Sequence, residues 1–226
     1  MSRIQFLLLF VWAALLTLVL MLPALTASTT PGEDLTRHTV RLALLYYGGA
    51  AVLMLLLSRG EWAAEGQGRL ARCCWSLAWL AYVVHLGMAF HHYHHWSHAA
   101  AVRHVHERSG IGAGIYVSHA FTLLWTLDVA FWWLRPRRYA VRSPWIDWLL
   151  HGFMAFVVFN STVVYEQGFV RWTGVALFAV LGTLWLRRAC TGTVFRYTSG
   201  DETNRSSFSR EHSASAGHQR SRNARG

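Results

Sequence analysis

The chain has 226 residues, of which 54 % are apolar and only 14 % charged, with a mean hydropathy of +0.25. A soluble domain usually carries nearly twice that charged fraction, so the composition argues against an ordinary water-soluble globule and excludes a largely disordered chain. The formal charge of +10 rests on arginine alone, because the sequence contains no lysine. The 3 cysteines, two of them adjacent at Cys73 and Cys74, do not make a disulfide framework.

A bilayer core about 30 Å thick needs roughly 20 apolar residues in a helix. Residues 4–22 form the first such stretch and carry no charge. Residues 40–57 have only Arg41, at the edge. Residues 73–90 are uncharged but hold His85. Residues 113–134 hold His119 and Asp128, and residues 145–165 hold Asp147 and His151. Residues 169–186 have Arg171 near the start, where a long side chain can snorkel. Backbone polar groups in lipid must be satisfied within the segment, so stretches this apolar should be helices. The expected fold class is therefore all-α, a polytopic integral membrane protein with six transmembrane helices. The number falls to five if the first stretch is a cleaved signal, for which Arg3 and the small residues of 24–28 supply the pattern. Residues 1–186 make the transmembrane domain. Residues 187–226 are rich in Arg, Ser, Gly and Asn and read as a disordered basic tail.

Arginine placement sets the expected orientation. With a cytoplasmic N-terminus, the inside segments hold Arg3, Arg59, Arg69, Arg72, Arg135, Arg137, Arg138, Arg142 and the tail arginines. The outside segments hold only Arg37, Arg41, Arg103, Arg108 and Arg171. Both termini are then cytoplasmic, in a membrane of the bacterial inner type. The lipid bilayer is the expected partner, with anionic lipids at the basic loops and tail. Nucleic acid is not an expected partner, since topology accounts for the arginines.

Histidine is unevenly placed. Of 13 histidines, seven fall between positions 91 and 106: His91, His92, His94, His95, His98, His104 and His106. On a continuing helix, His91, His95 and His98 lie within about 60° of one another, and His85, His92 and His95 form an overlapping stripe. Neutral imidazoles on one helix face suit Zn, Cu, Fe or Ni. His119 lies about 9 Å below the outer end of the fourth span, level with His91 and His92. Asn160 and Glu166 lie near the outer end of the fifth. The expected metal set is His91, His92, His95, His98 and His119, with Glu166 as carboxylate ligand. A b-type haem between His92 and His119 is the other cofactor these depths allow. Deeper in the bundle, Asp128 and His151 match in depth and are expected to hydrogen-bond, because ionisable groups in lipid need a partner.

The segment His91-His92-Tyr93-His94-His95 reads H-x-x-H-H and is similar to one histidine box of the membrane di-iron desaturases and hydroxylases. The similarity covers five residues. Those families carry several boxes, and no second one is found here, so their oxygen chemistry is not transferred to these residues. Two function classes follow. One is a histidine-ligated metal or haem protein, with a redox role. The other is a non-enzymatic small transporter or accessory subunit whose polar residues are structural. The glycine run at 110–114 follows no strand and lacks the context of a dinucleotide fingerprint. Gly48 and Gly49 are expected to allow close helix packing.

Overall fold

The computed structural model describes residues 3–190, apart from the side chains of residues 108 and 109. The described residues form helices joined by short turns, without a strand. The expected tail lies outside the described residues from position 191 onward. The described residues up to Leu181 form one compact unit, and a second begins at Gly182.

Helix α1 spans Arg3–Leu25. Among its buried residues are only Gln5 and Pro23, while Phe6, Phe10 and Leu25 stand exposed. The chain then turns through Ala27 in the left-handed region (φ 47°). Ser28 Oγ donates to Asp34 Oδ2 at 2.5 Å, and Pro31 opens α2 at its first position, where a missing N–H costs nothing. Helix α2 runs Pro31–Leu56, with Glu33 and Asp34 in the first turn, where acidic groups complement the helix dipole. The helix thus begins nine residues before the expected span of 40–57 and ends one residue early.

A short 3-10 turn, Gly60–Ala63, leads into α3, Gln67–His92. Ser58 donates from its N–H and its Oγ to the Glu61 carboxylate, each at 2.7 Å, which holds that carboxyl below the usual range. Gly68 is required where α3 begins. A Cβ there would lie 2.0 Å from the Glu61 carbonyl oxygen, so only glycine lets the 3-10 turn rest on α3. Helix α4 (His98–Ser109) follows α3 in a stretch expected to be loop, capped by Ser97 Oγ, which accepts from the Ala100 N–H at 3.3 Å. Gly110 ends it in the left-handed region (φ 75°).

Helix α5 (Gly114–Leu134), the short α6 (Pro136–Val141) and α7 (Pro144–Phe159) follow. Helix α7 continues as one π-helical turn, Asn160–Val164. Helix α8 spans Gly168–Cys190. Six helices (α1, α2, α3, α5, α7 with its π turn, and α8) are long and apolar enough to cross a membrane. They suggest a membrane protein.

The core lies mainly between α2, α3, α5 and α7. Tyr47, Trp75, Tyr82, Phe121 and Trp125 fill its middle, with neighbouring ring centroids 5.1–6.0 Å apart. Three hydrogen bonds join α3 to α5 along this stripe. Trp75 Nε1 donates to Asp128 Oδ2 at 3.0 Å, Trp79 Nε1 donates to Thr126 Oγ1 at 3.0 Å, and Tyr82 OH pairs with Thr122 Oγ1 at 2.8 Å. The spacing i, i+4, i+7 puts all three α3 donors on one face. At about 0.6 kcal/mol each in a membrane, together they contribute roughly 2 kcal/mol of α3–α5 register. Gly48 admits Leu177 of α8, whose Cδ1 would lie 2.9 Å from an added Cβ, so the expected close packing is present there. Gly49 faces open space.

Candidate functional site

Two polar assemblies lie at opposite ends of the bundle. The first joins the α2–α3 connection to α5, α6 and the start of α7. Asp128, on α5, is 3 % exposed. Its Oδ1 accepts from Arg142 Nη1 at 2.6 Å, and its Oδ2 accepts from Trp75 Nε1 and Tyr139 OH, each at 3.0 Å. Arg142 also pairs through Nε with Asp147 Oδ1, while Arg59 pairs with Asp147 Oδ2. Arg59 Nη1 donates to the Arg142 carbonyl at 2.7 Å, which fixes the chain between α6 and α7. Two guanidiniums thus face two carboxylates, and their formal charges cancel.

Aromatic rings seal this assembly. The Arg142 guanidinium lies 3.8 Å from the Tyr139 ring centroid, and that ring stacks on Trp132 at 4.4 Å with a 2° interplanar angle. Trp62 flanks both rings, at 6.2 Å from Trp132 and 6.0 Å from Tyr139. Burial and the neighbouring Asp128 carboxylate push the Tyr139 phenol well above its ordinary value, so it remains a donor. Beside this assembly, Arg72 is 3 % exposed and lies 5.3 Å from the Trp133 ring centroid, within 4.0 Å of Glu65.

The expected Asp128–His151 hydrogen bond is corrected by this geometry. Arg142 stands between the two, with Nη2 3.3 Å from His151 Nε2, and the imidazole packs edge-on against Trp75 at 5.6 Å. The depth match was real, but a guanidinium with several donors satisfies Asp128 better than one imidazole. Arg142, Asp147, Arg59, Tyr139 and Trp75 were not singled out as site residues from the sequence. From the sequence, Arg142 and Arg59 belong to the basic loops, and Asp147 lies at the edge of its span. The available signal was the presence of two acids, Asp128 and Asp147, flanking Arg142 within one span-and-turn.

The second assembly is the histidine end. Helix α3 stops at His92, and the chain turns through His95 (φ 46°) and Trp96 (φ 60°), both left-handed. The expected stripe of His91, His95 and His98 needs a continuing helix, so it does not form. The Trp96 N–H donates instead to the Phe90 carbonyl at 3.0 Å, closing the end of α3.

The histidines sort into pairs. His91 and His92 lie 4.7 Å apart by ring centroid, and His92 presses on Gly32 of α2, where a Cβ would come within 2.7 Å of its Cγ. His98 of α4 stacks on His119 of α5 at 5.5 Å. His94 meets His104 of α4 edge-on at 5.3 Å. His94 is 8 % exposed, and its Nδ1 has no hydrogen-bond partner among the described residues. Burial, then the neighbouring His104, holds its imidazole below the ordinary value.

Among the described residues no three His, Cys, Asp or Glu side chains come together to hold a metal ion. The expected set therefore divides. His98 and His119 meet, and so do His91 and His92. His95 sits on the left-handed turn, and Glu166 is exposed in the α7–α8 connection. His85 is bound elsewhere, its Nδ1 2.9 Å from the Thr36 carbonyl of α2. Asn160 Nδ2 donates to the Phe156 carbonyl at 2.8 Å, at the start of the π turn. No family model, curated protein or solved structure matches the chain.

Proposed function

We propose that this chain is a six-span integral membrane protein acting as a non-enzymatic accessory subunit. Its buried polar groups lock helices together rather than carry out chemistry. The observation that supports this is the closed pairing of Arg59, Arg142, Asp128 and Asp147 beneath a lid of Trp62, Trp132 and Tyr139. A transport path would need wet polar groups through the middle of the bundle. That middle is occupied by the rings of Tyr47, Trp75, Tyr82, Phe121 and Trp125.

In this reading the charged assembly lies at the cytoplasmic end of a bacterial-type inner membrane, with both termini cytoplasmic and anionic lipid against the exposed arginines. A periplasmic reporter fused after Ser109 is then active, and one fused after Arg138 is silent. The reverse pattern overturns the orientation. For the role itself, the protein reconstituted in liposomes passes neither protons nor small cations. Flux that Asp128→Asn abolishes would refute the accessory reading.

The paired imidazoles favour a second reading, a metal or b-type haem centre at the histidine end. Metal analysis and an optical spectrum of protein purified from membranes test it. A Soret band lost in His119→Ala would establish haem, and its absence together with absence of stoichiometric metal would dismiss this reading.

A further inference from the structure

The α3–α4 corner holds one buried polar atom without a partner, and a second imidazole stands beside it. His94 belongs neither to the expected metal set nor to the charged assembly. A buried imidazole nitrogen left unpaired has lost its hydration without a replacement, so such an atom calls for a ligand. The corner is also fixed before any ligand arrives. The left-handed residues His95 and Trp96 and the Ser97 cap set the angle between α3 and α4. Phe90 closes one side of His94 at 5.3 Å, and Tyr93 lies 5.8 Å from His104.

The ring separation agrees with shared coordination. An imidazole nitrogen sits about 2.0–2.1 Å from a bound zinc ion, which puts each ring centre about 3.2 Å from the metal. Two such rings at a tetrahedral angle have centres roughly 5.2 Å apart. His94 and His104 are 5.3 Å apart. The His98–His119 pair has a similar spacing, but no unpartnered buried nitrogen is found there.

We propose that His94 and His104 form a two-imidazole site for a divalent transition-metal ion at the α3–α4 corner, with water completing the coordination. No third protein ligand joins them among the described residues, so the site is open, unlike the closed four-ligand sites that serve structure alone. Imidazole donors favour Zn, Ni or Cu over Mg or Ca. The inference stands apart from the accessory role, because the charged assembly lies at the other end of the bundle.

The test uses the full chain in detergent with Co²⁺ as the probe. One ion binds per chain in the wild type. His94→Gln and His104→Gln each weaken binding by roughly 10–100-fold or more, at least the loss that removal of an outer-shell partner brings. His95→Gln and His106→Gln bind as the wild type does. Equal losses in all four variants would mean adventitious binding by a histidine-rich surface and would overturn the site. X-ray absorption of the wild-type complex needs no variant to fold. Two imidazoles with oxygen donors are expected, and three or more imidazoles refute the assignment.

Discussion

Arg142→Met isolates the central contact of the charged assembly. The Arg142 side chain is 7 % exposed and that of Asp128 1 % exposed, so the substitution leaves a carboxylate buried without its cation. Breaking a buried pair from one side costs about 3–5 kcal/mol. Asp128 keeps the Trp75 and Tyr139 donors, which places its share near the lower end, about 3 kcal/mol. Asp147 keeps Arg59. Loss of the guanidinium over the Tyr139 ring adds about 1 kcal/mol. The total of about 4 kcal/mol corresponds to a fall in Tm of roughly 8–16 °C for a chain of this size. Thermal unfolding in mild detergent, followed by tryptophan fluorescence, measures it. Asp128→Leu in the Arg142→Met background removes the stranded charge but leaves the Trp75 and Tyr139 donors without their acceptor, so the double variant should lose clearly less stability than the sum of the two single changes without returning to the wild-type value. If the double variant is as unstable as the sum of the two single changes, the two residues are not coupled and the reasoning fails.

Other perturbations probe separate links. Tyr139→Phe removes one donor to Asp128 and lowers stability by about 1–3 kcal/mol in the same assay, while the stack on Trp132 keeps the ring in place. The raised Tyr139 value also has a pH consequence. Its contribution is complete below about pH 10, where the unfolded phenol is protonated, and is lost as pH rises above that. The alkaline slope of Tm should therefore be smaller in Tyr139→Phe, and an unchanged slope would contradict the burial argument. Gly68→Ala drives a Cβ into the Glu61 carbonyl, a backbone atom with no room to retreat, and costs about 1–3 kcal/mol or more. Gly49→Ala meets nothing and should be neutral or slightly stabilising, which circular dichroism during thermal unfolding will separate from Gly68→Ala. Trp75→Phe removes the indole donor to Asp128 together with part of a buried ring, and the hydrogen-bond part of its loss should be non-additive with that of Tyr139→Phe.

The division between apolar spans and arginine-rich connections is local information, carried by runs of about 20 residues, and all six long helices follow from it. Hydropathy also explains why α1 buries so little and exposes Phe6 and Phe10. Helix ends were less legible. Helix α4 was missed because its histidine-rich sequence lacks an apolar run, although Ser97 and Gly110 mark its two ends. The histidine stripe failed for a local reason too: a turn through His95 and Trp96 demands two consecutive left-handed residues, and no glycine stands there to announce it. The charged assembly is of another kind. Arg59, Trp75, Asp128, Tyr139, Arg142 and Asp147 come from separate segments, and their pairing depends on how α3, α5 and α7 align. Depth along a span can be counted from the chain, so Asp128 and His151 could be placed level. Azimuth between packed helices is set by contacts among many side chains, and it put Arg142 between them.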